Sequence, residues 1–214
     1  MSSPAVPAKP RILPAHPMRA AVGMVAFLAL LWVIEGVDQF VLGGSLDYDG
    51  IVPRQVDGLD GILWSPLLHA GWAHLIANSI PFLVLGFLVL AGGLGQFIAV
   101  TALVWLLGGF LTWLTGFGIT VGASGVIFGW LAFLLFRGFF ARSGRQIVLA
   151  VVLFLAYGGV LWGVLPGTPG VSWQAHLFGA LAGVLAARLV ASADRRTSRG
   201  GRPSDGVSPY PIGP

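Results

Sequence analysis

Residues 120–136 read TVGASGVIFGWLAFLLF, a stretch without a charged residue that is closed by Arg137. About 20 apolar residues in a helix cross the roughly 30 Å of hydrocarbon in a bilayer, and this stretch with its flanks has that length. It also carries a serine, Ser124, among the small residues Gly122, Ala123 and Gly125. Reading outward, comparable apolar runs lie at about 20–42, 67–90, 94–113, 146–165 and 172–190. The chain has 214 residues, 56% hydrophobic and 9% charged. A soluble domain carries about 25% charged residues, so this chain has too few polar side chains to cover a water-facing surface. The expected fold is all-α: a polytopic membrane protein of six transmembrane helices. One membrane domain is expected over 19–191, between disordered tails at 1–18 and 192–214.

Composition removes several classes of function. There is no cysteine, so no disulfide, thiolate nucleophile or cysteine-ligated metal. No His-Glu-x-x-His motif or Gly-rich phosphate loop occurs, and neither a metal nor a cofactor is expected. The net charge is +4. Its basic residues flank the apolar runs rather than forming a stripe with nucleic-acid-binding motifs, so the expected surroundings are the lipid bilayer and not nucleic acid. Lys and Arg concentrate in the N-terminal tail, in the turn holding Arg137, Arg142 and Arg145, and in the C-terminal tail. With six crossings these three segments share one side, which the positive-inside rule makes cytoplasmic. The expected place is a bacterial plasma membrane with both termini in the cytoplasm. The loop 43–66, with Asp47, Asp49, Asp57 and Asp60 against Arg54, then faces outward.

Polar groups inside hydrocarbon are costly and tend to be functional. Ser124 lies 13 residues before Arg137, and His176 lies 12 before Arg188; at 1.5 Å per residue those are roughly 20 and 18 Å. The fourth and sixth helices run in the same direction, so hydroxyl and imidazole fall at nearly one height, about 10 Å below the outer surface of the core. Contact also requires close backbones. Gly125 and Gly129 on the fourth helix, and Gly179 and Gly183 on the sixth, are spaced four apart, as in helix faces that pack closely. On the second helix His74 and Asn78 share a face, near His69, which is expected to anchor the loop. An amide and an imidazole N–H near a nucleophile suit an oxyanion, as does the backbone near Ser124 at the start of a helix. The helices' acids, Glu35 and Asp38, sit on the first helix and receive no role, so a Ser–His dyad is favoured over a triad.

At these residues the chain resembles the rhomboid family of intramembrane serine proteases. The likeness rests on Gly122-Ala123-Ser124-Gly125, on His74-x-x-x-Asn78, and on Ala175-His176-x-x-Gly179-x-x-x-Gly183, and it covers about residues 20–190. It implies Ser124 as nucleophile, His176 as general base and acid, and an oxyanion site built from His74, Asn78 and the Ser124 backbone beside Gly122. Phe128 stands where the family often has a tyrosine stacked on the catalytic histidine; the ring can stack but offers no hydroxyl. The implied substrates are transmembrane segments of other proteins, cut near the outer face where the helix is loosened, because an intact helix hides its carbonyls. The alternatives are a non-proteolytic membrane chaperone or dislocation factor on the same fold, and a small transporter or channel. The latter would call for intramembrane charges or internal symmetry. Substrate identity and oligomeric state are not legible in the chain.

Overall fold

A computed structural model describes residues 11–200, with side chains described through 197; most of the first expected tail and the end of the second lie outside the described residues. Six helices are long and apolar enough to cross a membrane: Pro17–Leu42, Trp72–Gly92, Leu94–Thr115, Ser124–Ala141, Gly144–Val164 and Trp173–Thr197. Their α-helical parts are α1 (Pro17–Val37), α2 (Trp72–Val89), α3 (Leu94–Thr115), α4 (Ser124–Ala141), α5 (Gly144–Tyr157) and α6 (Trp173–Gly200). No strand occurs among the described residues; the β-pairing among them amounts to one isolated bridge, Ile51 to Thr120. The protein is an all-α, multi-pass integral membrane protein.

The bundle is built around α4. Its span is 61% buried inside the protein, whereas that of α5 is 11% buried, so α4 is the central post and α5 a lipid-facing wall. Trp130, Leu131 and Phe133 of α4 pack with Leu75, Leu85 and Val89 of α2, Val100 and Val104 of α3, and Ala182, Ala186 and Ala187 of α6. The indole N–H of Trp130, fully buried, donates to Thr101 Oγ1 at 3.0 Å, which satisfies a donor that would be costly in an apolar interior. The four glycines of the α4 and α6 faces meet across the seam. A Cβ added at Gly179 would lie 2.0 Å from the Gly125 carbonyl oxygen, and one at Gly183 would lie 2.0 Å from that of Gly129. The two backbones are in contact, with no side chain between them.

Several boundaries differ from those the hydropathy implies. The fourth helix does not start near 120 but at Ser124, because residues 120–123 are used differently. Thr120 pairs with Ile51 through both backbone bonds at 3.0 Å, and the Gly122 N–H donates to Ser65 O at 2.8 Å. The second helix begins at Trp72 and not near 67, so His69 precedes it. The fifth span is α-helical only to Tyr157 and tightens to 3-10 turns over Gly158–Val164. α6 runs through to Gly200, past 192, where a disordered tail was expected. Arg137 on α4 pairs with Asp194 on this extension, which ties the added turns to the bundle.

The loop 43–66 is ordered as short helical pieces, among them Ser45–Asp49, Val56–Gly58 and Gly61–Trp64. Arg54 does not engage the acids; its Nη1 donates to Gly116 O at 2.8 Å, at the carbonyl end of α3 where the helix dipole favours a cation. Trp113 and Trp105 of α3 donate their indole N–H groups to Gln55 O at 2.8 Å and Ile62 O at 2.7 Å. Asp38 accepts the Leu46 N–H at 2.9 Å. Burial, then the neighbouring Asp38, push the Asp47 carboxyl above its ordinary range.

Candidate active site

Ser124 is the first residue of α4. The chain reaches it through Gly122, whose φ of +117° lies where side chains are strained. A Cβ there would also stand 2.5 Å from Cε1 of His74. Gly122 thus does two things: it turns the chain into the helix and lets the His74 ring lie directly on the backbone two residues before Ser124. The first N–H groups of a helix have no intrahelical partner, so Ser124 stands beside donors at the positive end of a helix dipole.

His176 lies in the first turn of α6. Ser172, just before that helix, accepts the Ala175 N–H at 3.4 Å and the Thr120 hydroxyl at 3.2 Å, linking the start of α6 to the segment leading into α4. Nε2 of His176 is 2.8 Å from Ser124 Oγ, and Nδ1 is 3.0 Å from the carbonyl oxygen of Gly163. A carbonyl only accepts, so Nδ1 carries the hydrogen. In the neutral ring Nε2 then presents its lone pair to the serine, the tautomer a general base requires. The Phe128 ring lies flat on the imidazole, with centroids 4.1 Å apart and planes inclined by 7°. Three contacts therefore fix the ring: hydroxyl, carbonyl and aromatic face.

Gly163 is the functional residue that sequence reasoning missed. No carboxylate was found for the histidine, and a main-chain oxygen takes the position a carboxylate would hold. A Cβ at Gly163 would lie 3.0 Å from His176 Nδ1 and 3.1 Å from Phe128 Cζ, so only glycine lets the carbonyl come this close without displacement. The sequence signal was weak: Gly158, Gly159 and Gly163 in an otherwise apolar run.

Asn78 is buried on α2, one turn along from His74, and its Nδ2 makes no hydrogen bond. Behind Gly122 and Gly125 lies a cavity of about 30 Å³ reached by Ser65 and Thr120, enough for a single water. The Ser65 hydroxyl donates to Thr120 O at 2.7 Å. No cluster of three or more His, Asp or Glu suited to a metal ion occurs among the described residues.

His69 packs edge-on against His74, with centroids 5.3 Å apart, and is 1% exposed. Burial, and then His74, push its pKa from 6.5 down to about 3. The folded ring stays neutral while an unfolded one takes a proton, so the unfolded state binds more protons between those values. Stability contributed by His69 is complete above pH 6.5 and falls as pH drops toward 3, by up to about 1.4 kcal/mol per pH unit. Thermal unfolding of detergent-solubilised protein at decreasing pH is expected to fall more steeply for wild type than for His69→Leu. Parallel curves would remove His69 as the source.

The arrangement presents a serine hydroxyl to the lone pair of a fixed imidazole, beside the unpaired N–H groups at a helix start. The comparisons agree with such a scaffold. Residues 58–193 match the family profile described as the Rhomboid domain. An uncharacterized protein of Mycobacterium leprae is 52% identical over 190 residues, covering 84% of this chain and 75% of that protein. An uncharacterized protein of Mycobacterium tuberculosis is 50% identical over 183 residues, covering 81% of this chain and 76% of its own length. A profile matched over more than half of the chain, on a six-span bundle with the Ser124–His176 contact at its centre, carries one conclusion: the chain belongs to the rhomboid family.

Proposed function

We propose that the protein is an intramembrane serine endopeptidase that cleaves transmembrane segments of other membrane proteins through a Ser124–His176 dyad. The observation that carries this reading is the 2.8 Å contact from Nε2 to Oγ, with Nδ1 committed to the Gly163 carbonyl. In the forward step the Ser124 hydroxyl gives its proton to Nε2 as Oγ bonds to the peptide carbonyl carbon. The carbonyl oxygen takes up the negative charge, facing His74, the Asn78 amide and the main-chain N–H groups at the start of α4. Collapse of this intermediate breaks the C–N bond, and Nε2–H protonates the departing amine. Water then hydrolyses the ester by the same proton path in reverse, and the cavity beside Gly122 can supply it. The site opens on the side of the acidic loop. With the Arg-rich ends in the cytoplasm, that side is external, and both described ends of the chain lie on the cytoplasmic face.

The test uses purified protein reconstituted with a single-span substrate bearing small or helix-breaking residues near its outer end. Wild type is expected to release two fragments and to be labelled by a fluorophosphonate, and Ser124→Ala to do neither. Cleavage persisting in Ser124→Ala, or wild type resisting the probe, would overturn the proposal.

A further inference from the structure

At the Arg-rich end of the bundle, remote from Ser124, a cavity of about 130 Å³ opens between the ends of α2, α4, α5 and α6. Arg137 lines it one turn before α4 ends. Arginines that only orient a membrane protein need to sit in the flanking turns, as exposed Arg142 and Arg145 do. Arg137 differs from them: its residue is 5% exposed. Asp194 takes one nitrogen, Nη2, leaving Nε and Nη1 without a partner. Those two nitrogens carry three of the five guanidinium N–H groups. Leaving buried charged donors unpaired is costly, and the residue that carries them lines an open cavity.

The remaining lining indicates what would pair with them. Arg11 stands at the rim, and the Gln146 Oε1 is likewise buried without a partner. Deeper in, the wall turns apolar at Leu88, Leu134 and Leu149. Two guanidinium groups against one carboxylate favour an anion, and the polar end lies where the helices leave the hydrocarbon. A free phosphate would use only the polar end; a phospholipid would also lay its glycerol and first acyl carbons along the leucines. The geometry points to a binding site for an anionic phospholipid, with its phosphodiester at the Arg137 guanidinium and drawn in by Arg11. This site is independent of the proteolytic reading and of which side of the membrane the Arg-rich end faces. Guanidinium–phosphate pairing supplies the recognition, and anionic headgroups at a basic inter-helix pocket supply the setting.

Delipidated full-length protein in detergent is titrated with phosphatidylglycerol, phosphatidylcholine or inorganic phosphate, and bound lipid is read by native mass spectrometry. Wild type is expected to retain phosphatidylglycerol in preference to phosphatidylcholine, undisplaced by inorganic phosphate. Arg137→Gln, checked for folding by gel filtration and thermal unfolding, is expected to bind phosphatidylglycerol about tenfold more weakly. Gln146→Trp fills the cavity while keeping the Arg137–Asp194 pair, and the same loss is expected there, which keeps the test decisive should Arg137→Gln not fold. Undiminished binding in a folded variant, equal retention of phosphatidylcholine, or displacement by inorganic phosphate would each overturn the assignment.

Discussion

His176→Ala is expected to slow fluorophosphonate acylation of Ser124 by about 10³-fold, in the middle of the range for loss of a positioned general base. The probe needs no helix to unwind and no substrate to enter, so its rate isolates activation of the nucleophile from gating. The imidazole is the group bonded to the Ser124 hydroxyl, at 2.8 Å. Without it, a serine in an apolar interior has nowhere to send its proton. The fold should survive the change, because the neighbouring α6 residues that meet α4 are glycines and alanines, and the His176 ring contacts only Ser124, Phe128 and Gly163 in the bonds and stacks described above. The check is a second-order labelling rate beside a melting curve. A loss of less than tenfold with an unchanged melting temperature would remove His176 as the base.

Gly179→Ala should do greater damage to the fold than its single carbon suggests. Inside a helix, exchanging glycine for alanine normally stabilises by about 1 kcal/mol. Here the new carbon would sit 2.0 Å from the Gly125 carbonyl oxygen and 2.9 Å from its carbon. Both obstacles are main chain, so no rotamer relieves them, and α4 and α6 must part. Overpacking of this kind costs about 1–3 kcal/mol or more. The same displacement stretches the Ser124–His176 bond, and about 1 Å of misplacement costs on the order of a hundredfold in rate. The control is Gly95→Ala on α3, where a Cβ meets nothing within 4 Å. Lower melting and slower labelling for Gly179→Ala, with Gly95→Ala unaffected, is the expected pattern; equal behaviour of the two would refute the close-packed seam.

These cases show where the chain could be read and where it could not. Hydropathy revealed the six spans because the bilayer imposes length and composition together. Ser124 and His176 stood out because polar groups are rare in such spans, and the four glycines because spacing alone defines a face. What escaped was what the main chain does. Gly163 contributes an oxygen that every residue type possesses, so the letters mark it only by its missing side chain, as one glycine among three in that run. Thr120 and Val121 look like the start of a helix, and only the pairing of Thr120 with Ile51, some seventy residues earlier, makes them an extended lead-in. The last turns of α6 read as a polar tail because their partner, Arg137, is distant in sequence and reads there only as a topology signal.

The carbonyl of Gly163 belongs to the 3-10 end of the span with the least burial in the bundle. A hydrogen bond at 3.0 Å does not tolerate a sideways displacement of an ångström. Displacement of that outer wall by this much would free the imidazole to rotate or to carry its hydrogen on the other nitrogen. On the proposed Ser124–His176 chemistry, the position of this wall would then set the orientation of the base, and a lipid or a neighbouring helix pressing on it from outside would alter the reactivity of Ser124 without touching the serine.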